Sequence, residues 1–197
     1  MWDERFAGDT FLFGTKPAMG LVRHKDKLIQ NGSCLAVADG EGRNSVYLAE
    51  LGHDVLAMDS SQVGIDKAKK LAEAHQVSVS YELADIYGYD WQKAQFDNVV
   101  AIFIQFAPPS KWHEIFEGMK QALRLGGVLI LHGYTPKQVE YGTGGPSNVA
   151  HLYTTEMLAE AFGDMDILVN EAYEAVLDEG PGHSGQSALV DFVAVKR

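Results

Sequence analysis

The sequence has few of the features that mark several protein classes. Its 197 residues include one cysteine, Cys34, so no disulfide can form within the chain, and its apolar neighbours indicate a buried strand thiol. Six prolines and no repeat exclude collagen and low-complexity chains. No apolar run approaches the ~18 residues of a membrane span, and no signal-peptide pattern opens the chain. We therefore expect a cytoplasmic protein with no membrane partner.

Positive charge is also scarce. The chain has 16 Lys and Arg against 27 Asp and Glu, which gives a formal net charge of −11. An acidic surface repels phosphate backbones, so a nucleic-acid partner is disfavoured. With 46% hydrophobic residues the chain can bury a sizeable core. At roughly 150 residues per domain, its length predicts one domain.

Short apolar segments alternate with helical patterns, which is typical of βα units that build a parallel sheet. The pattern predicts strands at residues 33–38, 54–59, 77–83, 96–104 and 128–131, and helices at residues 18–30, 45–51, 62–75, 111–125 and 156–162. Two further strands, residues 166–177 and 188–195, are joined by a turn and should pair antiparallel. The predicted fold class is α/β, a doubly wound, mostly parallel, Rossmann-like sheet of seven strands with a C-terminal antiparallel hairpin.

A turn that carries two glycines lies between the first strand and the helix after it. Gly40 and Gly42 would let a ligand reach backbone amides at the helix N-terminus, because no β-carbon blocks the approach. Asp59 ends the second strand, where a carboxylate can accept hydrogen bonds from both ribose hydroxyls of a nucleoside. The glycines alone would equally suit a helix-packing turn. Together with Asp59 they favour a cofactor that contains adenosine.

Two cofactor classes share this geometry. Dinucleotide-binding turns carry a third glycine, and Ser45 takes its place in this sequence. An NAD-type oxidoreductase nevertheless stays an alternative, since it would use the same turn and the same Asp59.

The sequence resembles the class I S-adenosylmethionine-dependent methyltransferases along nearly the whole chain. The resemblance rests on the FLFGTKP segment, the GEGRN turn, Asp59, the acid in LADIYGYD, the LRLGGVLIL segment and the final hairpin. Within that class it is most similar to the small tellurite-resistance-like and thiol-methylating enzymes. The resemblance implies S-adenosylmethionine as cofactor and a small-molecule acceptor such as a thiol or a chalcogen oxyanion. It also implies one methyltransferase domain, 1–197: an N-terminal lid and helix (1–32), cofactor-binding βα units (33–134), then substrate loops and the hairpin (135–197).

The resemblance implies roles for single residues as well. The turn from Asp39 to Asn44 would surround the methionine part of the cofactor, and Asp59 would bind the ribose. Asp85 would accept a hydrogen bond from the adenine amino group, with Ile86 packed on the ring. The alternative for Asp85 is a carboxylate that only caps its own loop. The residues expected to contact the cofactor are Trp2, Phe13, Ala38, Asp39, Gly40, Gly42, Asn44, Asp59, Ser60, Asp85, Ile86, Phe103 and Ile104.

Two positions depart from the family pattern. Ala36 stands where the family usually has an acid, and Ala38 stands where it has a first glycine. A non-catalytic, adenosyl-binding regulatory module is therefore a second alternative. Arg43 would either pair with the methionine carboxylate or lie in solvent in the first helical turn.

The acceptor pocket is expected beyond the carboxyl ends of the fourth and fifth strands. Candidate residues there are Gln105, Phe106, Tyr134 and Tyr141. His183 lies in the glycine-rich segment EGPGHSGQ and is the candidate catalytic base, since an imidazole could take a proton from an acceptor thiol. Its alternative is an exposed turn histidine. The seven histidines show no metal-ligand spacing, so no metal is predicted.

Overall fold

The seven strands within the described residues belong to one sheet. The structure is a computed structural model and describes residues 2–91 and 95–197. The strand order is β3-β2-β1-β4-β5-β7-β6; the first five strands along the chain pair in parallel, and β7 runs antiparallel to both β5 and β6. The strands are β1 (Ser33–Val37), β2 (Asp54–Asp59), β3 (Ser80–Leu83), β4 (Phe96–Ile102), β5 (Leu123–Tyr134), β6 (Asp166–Asp178) and β7 (Ser184–Val195). The predicted fold class is confirmed.

Helices follow most of the strands. They are α1 (Trp2–Phe6), α2 (Met19–His24), α3 (Arg43–Glu50), α4 (Gln62–Ala74), α5 (Pro109–Ala122), α6 (Gln138–Tyr141) and α7 (Thr155–Ala161). No helix within the described ranges is long and apolar enough to cross a membrane.

The sheet is packed on both faces because successive residues of its central strands alternate between two cores. In β1, Leu35 and Val37 join a hydrophobic cluster that contains Ile115 of α5. Cys34 and Ala36 face the other way, into a cluster that contains α2 and α3 residues. Cys34 is fully buried, as predicted, and burial raises the pKa of its thiol to about 12. Because both faces of the sheet are buried, the sequences of the central strands are nearly continuous apolar runs.

Some element boundaries differ from those predicted. Residues 123–125 were expected to continue α5, because Met119 and Leu123 keep helical spacing, but β5 begins at Leu123, which pairs with Phe96 of β4. The helix predicted at residues 18–30 ends at His24, and a 3-10 turn, Lys25–Lys27, follows it. Strand β3 begins at Ser80, three residues later than predicted. Helices α1 and α6 were not predicted.

Candidate functional site

A cavity of about 240 Å³ lies beyond the carboxyl ends of the parallel strands. Its walls come from the β1–α3 turn, the ends of β2, β4 and β5, the loop after β3, and residues 145–146 and 182–183. The remaining wall is the N-terminal segment, which we define as residues 2–14. The position is the one at which doubly wound sheets bind ligands.

The β1–α3 turn depends on left-handed backbone conformations. Gly40 has φ 63° and Gly42 has φ 94°. A β-carbon on Gly42 would lie 2.5 Å from the Ala68 Cβ of α4, so this glycine also permits close packing of two helices. Ala38 adopts φ 49°, and Phe103 at the end of β4 adopts φ 55°. Both strained residues line the cavity, and such strain clusters at functional sites.

Asp59 connects the two loops at the end of β2. Its Oδ2 accepts a hydrogen bond from the Gly40 amide at 2.8 Å, and its Oδ1 accepts one from the Ser61 amide at 2.8 Å. Burial raises the pKa of Asp59, while these amides oppose the shift. Each carboxylate oxygen has a second lone pair, so Asp59 can still accept hydrogen bonds from a ligand.

Asp39 lies beside Asp59 in the same wall. Its Oδ1 accepts a hydrogen bond from the Ser45 amide at 3.2 Å, which caps the first turn of α3. Its Oδ2 is buried and has no hydrogen-bond partner within the described residues. Burial raises the pKa of Asp39 to about 7, and the nearby charge of Asp59 adds to the shift. Asp39 therefore changes charge near neutral pH.

Asp85 and Ile86 both line the cavity next to the end of β3. Asp85 is exposed, and its Oδ1 accepts a hydrogen bond from the Tyr87 amide at 3.0 Å. The carboxylate thus caps its own loop and also borders the cavity. Ile86 is 3% exposed and belongs to the core that contains α5, so it offers a fixed apolar surface.

The guanidinium of Arg43 forms a buried ion pair with Glu179. Its Nη1 donates a hydrogen bond to Glu179 Oε2 at 2.7 Å, and both side chains are buried. Glu179 Oε1 also accepts a hydrogen bond from the Met19 amide at 2.8 Å. The solvated alternative for Arg43 is wrong, because the side chain is buried. Arg43 lines the cavity, and its pairing with a methionine carboxylate stays a prediction.

His183 is packed between aromatic rings. It is 5% exposed, with ring centroids 4.4 Å from Phe13 and 4.2 Å from Phe103. Burial lowers the pKa of His183 to about 2, and the cation of Arg43 adds to the shift. An imidazole that resists protonation takes a proton poorly from a thiol with a pKa of about 8.5. The lowered pKa disfavours His183 as a base, and its role as the catalytic base stays a prediction. The exposed-turn alternative is wrong, because the side chain is buried.

The cavity brings together most of the residues expected at the site. Those that line it are Trp2, Phe13, Ala38, Asp39, Gly40, Asn44, Asp59, Ser60, Asp85, Ile86, Phe103, Gln105, Phe106, Tyr134 and His183. Gly42 instead packs on α4, and Ile104 is 1% exposed within the core. Tyr141 lies elsewhere, where its hydroxyl donates a hydrogen bond to Glu174. Lining residues that sequence reasoning missed are Arg5, Phe6, Met58, Ala84, Ile102, Gly145, Pro146 and Gly182.

One missed residue, Phe6, had a signal in the sequence. Trp2 and Phe6 are four residues apart, so a single helical turn places them on one face. In α1 their rings stack with centroids 5.5 Å apart, and the Arg5 guanidinium lies 4.4 Å from the Trp2 ring. Residues 145–146 and 182 carry no such signal, because only the fold brings their loops to the cavity.

Comparison with known proteins gives the family. Residues 34–127 match the model of a methyltransferase domain. This segment is a methyltransferase domain. A probable S-adenosyl-L-methionine-dependent methyltransferase of Haemophilus influenzae, TehB, is 28% identical over 120 residues, which are 60% of this chain and 42% of TehB. The crystal structure of Haemophilus influenzae TehB superposes with a TM-score of 0.74 at 23% identity, over 91% of this chain and 63% of the other.

The name of a second relative states its acceptor. The tRNA 5-carboxymethoxyuridine methyltransferase of Escherichia coli is 32% identical over 104 residues, 51% of this chain and 39% of that enzyme. The chain thus matches less than half the length of these curated relatives. The comparisons support the predicted enzyme class and its cofactor, S-adenosylmethionine.

The residues present fit that cofactor. S-adenosylmethionine carries a sulfonium and an ammonium cation, and three carboxylates line one side of the cavity: Asp39, Asp59 and Asp85. Because Gly40 has no side chain, the backbone of the β1–α3 turn is accessible to a ligand. A β-carbon at this position would lie 3.3 Å from the Phe6 ring. No group of residues suited to a metal ion occurs within residues 2–91 and 95–197.

Proposed function

We propose that this protein transfers the methyl group of S-adenosylmethionine to a small thiol or chalcogen acceptor. The division of the cavity into two halves carries the proposal. The acidic half, at the ends of β1 to β3, contains Asp39, Asp59 and Asp85. The aromatic half comes from the N-terminal segment, the ends of β4 and β5 and the residue before β7, and contains Trp2, Phe13, Phe103, Phe106, Tyr134 and His183.

The acidic half suits the donor. Its carboxylates favour a cation, and Asp59 would accept hydrogen bonds from the ribose hydroxyls. When bound, S-adenosylmethionine supplies a methyl carbon that an acceptor atom attacks in line with the leaving sulfur. The protein needs no covalent intermediate for such a transfer. Its contribution is to hold the two reactants in line in a closed site, which can supply several kcal/mol.

The aromatic half suits a small, polarisable acceptor. The rings are mutually packed: Phe103 lies 4.7 Å from Tyr134, and Trp2 lies 5.8 Å from Phe106. Sulfur makes favourable contacts with aromatic rings, so these walls suit a thiol or a heavier chalcogen. His183 stays uncharged, so the acceptor would arrive already ionised and the protein would orient it rather than deprotonate it.

A tRNA acceptor fits the described site less well, although one relative is named for it. The cations that line the cavity are Arg5 and Arg43, and Glu179 neutralises Arg43. The net charge of −11 would repel a polyanion. A tRNA base would also have to enter the cavity, and the N-terminal segment covers it.

Incubation of the full chain with S-adenosylmethionine and a panel of thiols, selenite, tellurite, amines and bulk tRNA tests the proposal. We expect S-adenosylhomocysteine to form with a thiol or chalcogen acceptor, and not with amines or tRNA. Cofactor binding without product from any acceptor would favour the regulatory module. Binding of NADH in place of S-adenosylmethionine would favour the oxidoreductase. Either result would contradict the proposal.

A further inference from the structure

The N-terminal segment covers the cavity but contributes no strand to the sheet. Four of its side chains line the cavity, those of Trp2, Arg5, Phe6 and Phe13. Only α1 within it is regular structure, and α1 has five residues, too few to be stable alone. Contacts to the rest of the protein must therefore hold the segment in place.

Lys67 of α4 makes three of the hydrogen bonds that hold the segment. Its Nζ donates to the carbonyl oxygens of Phe6 at 3.1 Å, Gly8 at 2.8 Å and Thr10 at 2.8 Å. The same Nζ lies 2.6 Å from Glu41 Oε1. The side chain is 12% exposed. Alternate carbonyls of residues 6–10 therefore converge on one ammonium group, which fixes the path of the chain around it.

Glu41 ties the segment to the β1–α3 turn. Its Oε2 accepts hydrogen bonds from the amides of Leu12 at 2.8 Å and Phe13 at 3.4 Å, while Oε1 faces Lys67. Glu41 is 3% exposed and lies between the two glycines of the turn. One carboxylate thus joins the covering segment, α4 and the turn that borders the cofactor.

A second connection reaches the other cofactor loop. Asp3 Oδ1 accepts hydrogen bonds from the Ser61 hydroxyl and, at 3.2 Å, from the Val63 amide at the start of α4. Ser61 in turn donates its amide to Asp59. The segment is therefore anchored beside both loops that border the acidic half, although Lys67, Glu41 and Asp3 do not themselves line the cavity.

We propose that Lys67 and Glu41 are positioning residues that hold the N-terminal segment over the cavity and couple its closure to cofactor binding. The coupling rests on the proposed function, since it requires a ligand that contacts the turn and the segment together. Coupling between two equilibria is reciprocal. Whatever favours the closed segment raises cofactor affinity, and bound cofactor must stabilise the closed segment by the same factor.

The variants Lys67→Met and Glu41→Gln test this proposal. Lys67→Met keeps the length of the side chain but removes every donor, and Lys67→Arg retains donors and should rescue part of the effect. Lys69→Met, at an exposed position on the same helix, is the matched control. The measurements are amide exchange of residues 2–14, and the affinity and dissociation rate of S-adenosylhomocysteine.

In the wild type, we expect S-adenosylhomocysteine to slow amide exchange at residues 2–14. Lys67→Met and Glu41→Gln should speed this exchange with and without ligand, and should raise the dissociation rate and Kd about tenfold, since each removes a buried, charged hydrogen-bond partner. Lys69→Met should match the wild type. Exchange at Leu12 and Phe13 should respond most to Glu41→Gln, because Glu41 accepts from those amides.

A double-mutant cycle with Trp2→Ala separates positioning from a general effect on α4. If Lys67 acts through the segment, Trp2→Ala and Lys67→Met will raise Kd less together than the product of their separate effects. Full additivity, or wild-type exchange and Kd in Lys67→Met, would overturn the role of Lys67. If the wild-type chain itself fails to bind S-adenosylhomocysteine, the proposed function and the coupling both fail, whatever the exchange data show.

Discussion

At the scale of single residues, the carboxylates of the cavity are held in different ways. Asp59 accepts two backbone hydrogen bonds, Asp85 is exposed and caps its own loop, and Asp39 leaves one oxygen without a partner within the described residues. Hydrogen bonds favour the ionised form and burial opposes it. Burial therefore raises the pKa of both side chains, against two backbone hydrogen bonds at Asp59 and one at Asp39, where the pKa reaches about 7.

Asp59→Ala is expected to weaken S-adenosylmethionine binding by about 1.5 to 3 kcal/mol, because it removes charge-assisted hydrogen bonds to the ribose. Calorimetric titration measures the change. Asp54→Asn, at the exposed opposite end of β2, is the control and should bind as the wild type does. Unchanged affinity in Asp59→Ala would remove Asp59 from the cofactor site.

Asp39→Asn is expected to stabilise the ligand-free protein more at pH 8 than at pH 4.5. The folded pKa of about 7 exceeds the unfolded value of about 3.9, so the unfolded chain loses this proton first. Asp39 therefore lowers the free energy of unfolding as pH rises from about 4 to about 7, whereas an asparagine does not ionise and causes no such loss. Thermal unfolding at both pH values measures the difference. An equal change at the two pH values would contradict the raised pKa.

His183→Gln is expected to leave the shape of the pH–rate profile unchanged. His183 stays neutral across the working range, so the rate should rise with pH until the acceptor thiol is ionised. The midpoint should then move when thiols of different pKa are compared. A midpoint fixed near pH 6.5 with every thiol, and lost in His183→Gln, would restore the histidine as the base.

At the scale of elements, local patterns predicted the β1–α3 turn and Asp59, because glycines and strand ends are signals a few residues long. Side-chain contacts between loops that are far apart in the sequence could not be predicted from such local signals. Arg43 pairs with Glu179, 136 residues away, and His183 packs on Phe13, which lies in the N-terminal segment. Helical spacing wrongly extended α5 to residue 125, because pairing of Leu123 with Phe96 overrides the local preference.

Gly42→Ala is expected to destabilise the protein more than Gly126→Ala does. Both glycines have positive φ, 94° and 78°, so both substitutions strain the backbone by about 1 to 2 kcal/mol. Only Gly42 would also bring its β-carbon to 2.5 Å from another atom, whereas Gly126 has nothing within 4 Å. Overpacking adds about 1 to 3 kcal/mol. Urea midpoints of the two variants measure the gap, and equal midpoints would contradict the close α3–α4 contact.

At the scale of the whole molecule, the sequence predicted the architecture well because the sheet follows regular rules. Apolar runs marked the central strands, and the closing hairpin marked the antiparallel edge, which the strand order confirms. The division of the cavity into acidic and aromatic halves could not be foreseen, since it draws on the N-terminal segment and on loops near residues 145 and 182. Charge at this scale favours a small acceptor, because the net charge is −11.

The most direct test of methyl transfer is to supply S-adenosylmethionine carrying a deuterated methyl group, together with a small thiol, to the full chain. Mass spectrometry then follows the label. We expect the deuterated methyl group to appear on the thiol sulfur with an equal amount of S-adenosylhomocysteine, and at a much lower rate in Asp59→Ala. Label that stays on the donor with thiols, selenite and tellurite alike would contradict the proposed activity.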